Sequence, residues 1–123
     1  MIKSWQPNAH AVSTLGELTQ VLADGRVVVV RAWAIWNGID RDIEPMVEQF
    51  RLEYEPRLKV VSVDVDNAEF WNALRDASVM NVPAFLVFSQ GRHLRTIQNA
   101  PSSPELLRRL SEAVDQELPQ SAA

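Results

Sequence analysis

Two histidines, His10 and His93, and an acidic run of Asp64, Asp66 and Glu69 around Asn67 are the residues whose types and spacing first suggest chemistry. The run has oxygen ligands for a cation, but it lacks the glycine and the spaced bidentate glutamate of a calcium loop. It reads more simply as the polar end of a strand that caps the next helix. The histidines stand far apart, and neither has a second ligand at metal spacing. Ser89 and His93 lie close in sequence, which a hairpin explains without catalysis, and no serine elbow or glycine-rich phosphate loop occurs. The chain has no cysteine. A thiolate nucleophile, a disulfide, thiolate-bound zinc and an iron–sulfur cluster are therefore excluded, and no metal or other cofactor is expected.

The charge balance points away from nucleic acid. Twelve Lys and Arg against sixteen Asp and Glu leave a net charge of −4, where a nucleic-acid protein would present a basic face. The longest apolar run, Val27–Val30, stops at Arg31, far short of the roughly 18–20 residues that a membrane span requires. The opening segment Met1–Pro7 lacks the apolar stretch of a secretory signal, so the expected setting is the cytoplasm. One domain is expected over the 123 residues, with a core from about 8 to 118 and short flexible tails.

The elements that must position these residues alternate. Thr14 and Glu17 have capping-box spacing, and Leu15, Leu18 and Leu22 follow at helical intervals. Val27–Val30 does not alternate with polar residues, so it reads as a strand buried on both faces. Asp40, Asp42 and Glu44 crowd the first turns of a helix, where the helix dipole favours them. That helix carries an apolar stripe of Ile43, Met46, Val47 and Phe50, and Pro45 should bend it. Val60–Val65 is a second buried strand, followed by a short helix capped by Asn67 and carrying Phe70, Leu74 and Ala77. Ala84–Phe88, a Gln90-Gly91 turn and Arg92–Gln98 read as an antiparallel hairpin. Ser102 and Pro104 open the last helix, whose buried face is Leu106, Leu107, Leu110, Ala113 and Val114. The order is β-α-β-α-β-α-β-β-α: an α/β fold with a mixed sheet, a parallel core, an antiparallel edge hairpin and helices on both faces.

From about Ser13 to Val114 the chain resembles the thioredoxin family. The segment Val28-Val29-Val30-Arg31-Ala32-Trp33-Ala34-Ile35-Trp36-Asn37-Gly38-Ile39-Asp40-Arg41 looks like the family's strand and active-site loop, which ends in Trp-Cys-Gly-Pro-Cys-Lys. Trp33, Ala34, Trp36, Gly38 and Pro45 fall at the expected offsets. Val82-Pro83 before Ala84–Phe88 is similar to the family's cis-proline and following strand, and Gly91 matches its hairpin turn. The departures are as informative. Both cysteine positions are replaced, by Asn37 and Asp40, and the proline between them is Ile39. The family's buried carboxylate is Arg31, its partner lysine is Ser62, and a glycine before the last helix is Asn99. Thiol–disulfide exchange needs a thiolate and a resolving thiol, so the family's reaction is not expected here.

The resemblance implies two features of the site. Arg31 and Asp40 stand where the family has a buried acid beneath its second cysteine, which suggests a structural ion pair that pins the loop. The alternative is that Arg31 snorkels to solvent and Asp40 is only a helix-terminus charge. Trp36, Asn37, Gly38, Ile39, Val82, Pro83, Asn99 and Ala100 correspond to the groove in which the family holds an extended segment of a partner protein. Ile35 and Ile39 make it more apolar than usual, with Asn37 and Asp40 expected to supply polar pairing, unless the two isoleucines fold inward. The expected function is binding of a protein or extended peptide, as a redox-inactive chaperone or assembly factor. The rivals are a structural subunit using other faces of the fold, an enzyme with Asp40, Arg31 or Asp64 in acid–base roles, and a drifted or engineered chain with no function of its own.

Overall fold

The computed structural model describes residues 5–119. Its elements are β1 (His10–Ala11), α1 (Leu15–Leu22), β2 (Val27–Trp33), α2 (Gly38–Asp42), α3 (Glu44–Tyr54), β3 (Lys59–Asp64), a 3-10 turn (Ala68–Phe70), α4 (Trp71–Asp76), β4 (Ala84–Ser89), β5 (Arg92–Ile97) and α5 (Ser103–Glu117). One sheet runs in the order β1-β3-β2-β4-β5. β3 is parallel to both β1 and β2, while β4 runs antiparallel to β2 and to β5. This is the mixed α/β sheet that the pattern of elements predicts.

The valine run forms β2 because the central strand is covered on both faces. Val27 and Val29 pack with Ile43 between α2 and α3, with Val47 and Phe50 of α3 and with Leu110 and Val114 of α5. Val28 and Val30 face the other way, toward Leu18 of α1 and Phe70 and Leu74 beside α4. Every residue of β2 is buried, Arg31 included.

The local signals act as caps and turns. Thr14, Asn67 and Ser102 each accept a hydrogen bond from a backbone N–H in the first turn they cap. At the β4–β5 hairpin, Gln90 and Gly91 have φ of 52° and 77°, the pair of positive angles that a tight hairpin turn demands.

Two expectations are corrected, at Pro45 and in the N-terminal tail. The helix expected to bend at Pro45 is two helices separated at Ile43, with Pro45 in the first turn of α3. A missing N–H costs nothing there, so the proline starts a helix instead of bending one. The first strand has two residues and is held by pairing with β3. The N-terminal tail is packed from Trp5 onward: Trp5 meets Trp33 edge-on with ring centroids 5.2 Å apart, and Pro7 is buried. The rest of the two expected tails, residues 1–4 and 120–123, lies outside the described residues. No helix among the described residues is long and apolar enough to cross a membrane.

Candidate functional site

The loop from Ala34 to Asn37, with α2 after it, closes over the C-terminal end of β2. Beneath it the Arg31 side chain is fully buried, as is that of Asp40. One Arg31 nitrogen, Nη1, donates to Glu44 Oε2, and Nη2 donates to the backbone carbonyl of Asp40. The same Nη2 lies 3.6 Å from Asp40 Oδ1. Asp40 Oδ2 accepts the Ala34 N–H at 3.1 Å, and Glu44 Oε1 accepts the Asn8 N–H at 3.1 Å. Trp5 covers the cluster, its ring centroid 5.4 Å from the guanidinium carbon.

Arg31 therefore does not snorkel. It is paired inside, but its hydrogen-bonded side-chain partner is Glu44, which the sequence suggests only as a helix-terminus charge. Two carboxylates share one guanidinium, and among the described residues Asp40 Oδ1 and Arg31 Nε have no hydrogen-bond partner. Burial pushes the Asp40 carboxyl up to about 6 against the lowering effects of the Ala34 N–H and of Arg31. The expectation that Asp40 adds polar pairing at the groove is corrected: its side chain faces inward and offers no atom to solvent. For the same reason neither it nor Arg31 can touch a substrate, whatever its pKa. Among the described residues, no three His, Asp or Glu gather where a metal ion would fit.

Above the loop the chemistry changes. Ile35, Trp36 and Ile39 stay exposed, so the inward-folded alternative does not hold. Asn37 caps α2 through Oδ1, which accepts the Ile39 N–H at 3.2 Å, and its Nδ2 donates to the Val82 carbonyl at 2.8 Å. The Val82–Pro83 bond is cis. Asn99 has φ of +60°, a left-handed conformation that glycine adopts freely and asparagine tolerates. This accounts for the exchange of glycine for asparagine at that position.

The expected groove is two clefts that meet along Ile39, Asn81 and Val82. One, of about 480 Å³, is lined by Ile39, Val82, Pro83, Asn99 and Ala100 among others. The other, of about 490 Å³, brings Trp36, Asn37, Ile39 and Val82 together with Val65, Trp71, Arg75 and Met80. Gly38 lines neither. Trp71, Arg75 and Met80 lie outside the site that the sequence suggests. Trp71 carries a legible signal, since it falls off the Phe70, Leu74, Ala77 stripe of its helix. Met80 and Arg75 carry none.

A thioredoxin family model matches residues 11–112. The chain is 32% identical to a thioredoxin of Mycolicibacterium smegmatis over 96 residues, covering 78% of this chain and 86% of that one. It is 33% identical over 97 residues to a thioredoxin of Mycobacterium tuberculosis, covering 78% of this chain and 81% of the relative. Among solved structures, a mutant thioredoxin from Halobacterium salinarum superposes with a TM-score of 0.72 at 21% identity, over 98% of this chain and 100% of that one. At that identity the likeness shows the fold alone. Matched over most of its length by the family model and by these relatives, yet without a single cysteine, the chain belongs to the thioredoxin family.

Proposed function

We propose that this protein binds an extended segment of a partner protein along the cleft formed by Ile39, Val82, Pro83, Asn99 and Ala100, as a cytoplasmic chaperone or assembly factor. The observation that carries the reading is the exposure of Ile39 at this cleft, with Trp36 exposed beside it, on a loop tied beneath and at its edge by hydrogen bonds. Exposed aromatic and aliphatic side chains on a held backbone are the kind of anchor that dominates protein interfaces. A loop that keeps this shape without a thiolate retains a surface but not thiol–disulfide exchange.

The hydrogen bonds at the cleft narrow the binding mode. The Val82 carbonyl already accepts a hydrogen bond from Asn37, so a bound strand gains less from the main chain here than it would beside a free carbonyl. Side-chain burial must supply more of the affinity.

The test is selection of extended twelve-residue peptides from a random display library on the intact protein, followed by NMR mapping of the binders. Shifts centred on Ile39, Val82 and Ala100, with at least tenfold weaker binding to Ile39→Glu and Ala100→Arg, are expected. A library that enriches nothing, or binders that map to α1 and leave the loop unmoved, would refute the reading.

A further inference from the structure

We infer that the cleft between Trp36 and Trp71 is a side-chain pocket for a partner segment that places a large apolar residue beside a carboxylate. The inference rests on the peptide-binding reading and adds a second subsite with its own chemistry.

Seven large hydrophobic residues are exposed among the described residues, and four of them, Trp36, Ile39, Trp71 and Met80, line this one cleft. Their exposures run from 55% at Ile39 to 77% at Met80. They come from three separate places in the chain, so no single amphipathic element explains the gathering. Such an apolar concavity, of about 490 Å³, is in the size range of binding pockets, roughly 300–1,000 Å³.

Several of the polar groups around it are already engaged. Trp36 Nε1 donates to Asp66 Oδ1 at 3.2 Å, and Trp71 Nε1 donates to the Val65 carbonyl at 3.0 Å. Both indoles are thus oriented before any ligand arrives, which lowers the entropy lost on binding. The Met80 and Asn81 N–H groups donate to Gln98 Oε1, and the Val82 carbonyl accepts from Asn37. With these groups engaged and the exposed lining mostly apolar, the occupant that fits the cleft best is a side chain.

Charge supplies the second half of the specificity. Among the described residues, Arg75 is the only ionisable one that lines the cleft. Its side chain is 74% exposed, and its acidic neighbour is Asp76 at 3.7 Å, an exposed contact. Exposed pairs of this kind hold a guanidinium weakly. A carboxylate next to the apolar anchor would meet Arg75 in bidentate geometry, whereas a basic residue there would be repelled.

The same random peptide library, selected in parallel on the intact protein and on Arg75→Glu and Met80→Asp variants, tests this. Peptides enriched on the parent should carry a large apolar residue with Asp or Glu within three positions. Arg75→Glu should invert the preference to Lys or Arg, and Met80→Asp should weaken the parent's binders at least tenfold. Both substitutions lie on exposed side chains, and circular dichroism would verify that the variants fold. Binders that lack an acidic preference, or that ignore both variants while still responding to Ala100→Arg, would overturn the second subsite and leave the groove reading intact. A library that enriches nothing on any form would overturn both.

Discussion

The underside and the upper face of the loop between β2 and α3 differ in opposite senses from what solvent would choose. Below, Arg31, Asp40 and most of Glu44 are withdrawn from water. Above, Trp36 and Ile39 stand in it. Charged groups inside and apolar groups outside reverse the usual partition. The buried half is largely offset within the chain, because the guanidinium, two carboxylates, two backbone N–H groups and the Trp5 ring engage one another, with Asp40 Oδ1 and Arg31 Nε left over among the described residues. The exposed half has no such offset among the described residues. The contrast teaches that the buried half is a structural device, while the exposed half is the surface on which the proposed binding rests.

Breaking the sealed side should give the largest effect. Arg31→Met leaves Asp40 and Glu44 without their cation, and urea unfolding at pH 7 should show a loss of about 3–5 kcal/mol. A loss under about 1 kcal/mol would show that the cluster does not hold the loop.

The next effect is in pH. Burial raises Asp40 from 3.8 to about 6 in the folded chain, so the folded form binds that proton more tightly than the unfolded one. Its contribution to stability is complete below about pH 4 and declines as pH rises through about 6, by on the order of 3 kcal/mol. Asp40→Asn should abolish this decline, so the difference in unfolding free energy between variant and parent should change by that amount between pH 4 and 7. Parallel curves would mean that Asp40 titrates normally.

Asn37 joins the two faces, and its removal should cost less. Asn37→Ala deletes the α2 cap and the bond to Val82, for about 1 kcal/mol in the same unfolding assay. Asn37→Ser should recover part of this by restoring the cap but not the reach to Val82. Smallest of all, Met80→Ser and Ile39→Ser should change stability by no more than about 0.5 kcal/mol. A larger loss would make those side chains part of the core and erase the contrast between the faces.

Much of the fold could be read from local signals. The unbroken valine run marks a strand covered on both sides, Thr14, Asn67 and Ser102 mark helix starts, and Gln90-Gly91 marks the hairpin. The expected order opens with a strand, but local signals do not mark its residues, which escape such reading because two residues show no periodicity; their strand character comes from the pairing of His10 with Val61 and of Ala11 with Ser62. Glu44 escapes because an acid in a helix's first turn already has a local explanation. Trp5 escapes because an isolated aromatic in a polar tail has no pattern around it. Of the second cleft's additional residues, only Trp71 is visible, as an aromatic off its helix's buried stripe.

Composition alone removed thiol chemistry, and the patterning of apolar residues, caps and turns carried enough information for the architecture, because those preferences act over a few neighbours along the chain. A guanidinium at Arg31 on a doubly covered strand raised the question of an anion in one dimension, but only the packed structure decided between a buried pair and a side chain reaching solvent. Which carboxylate would reach the guanidinium, whether Asn37 would close on Val82, and that Trp36, Trp71 and Met80 would share one cleft depended on distances between elements remote in sequence. Those distances exist only once the sheet and its helices have packed.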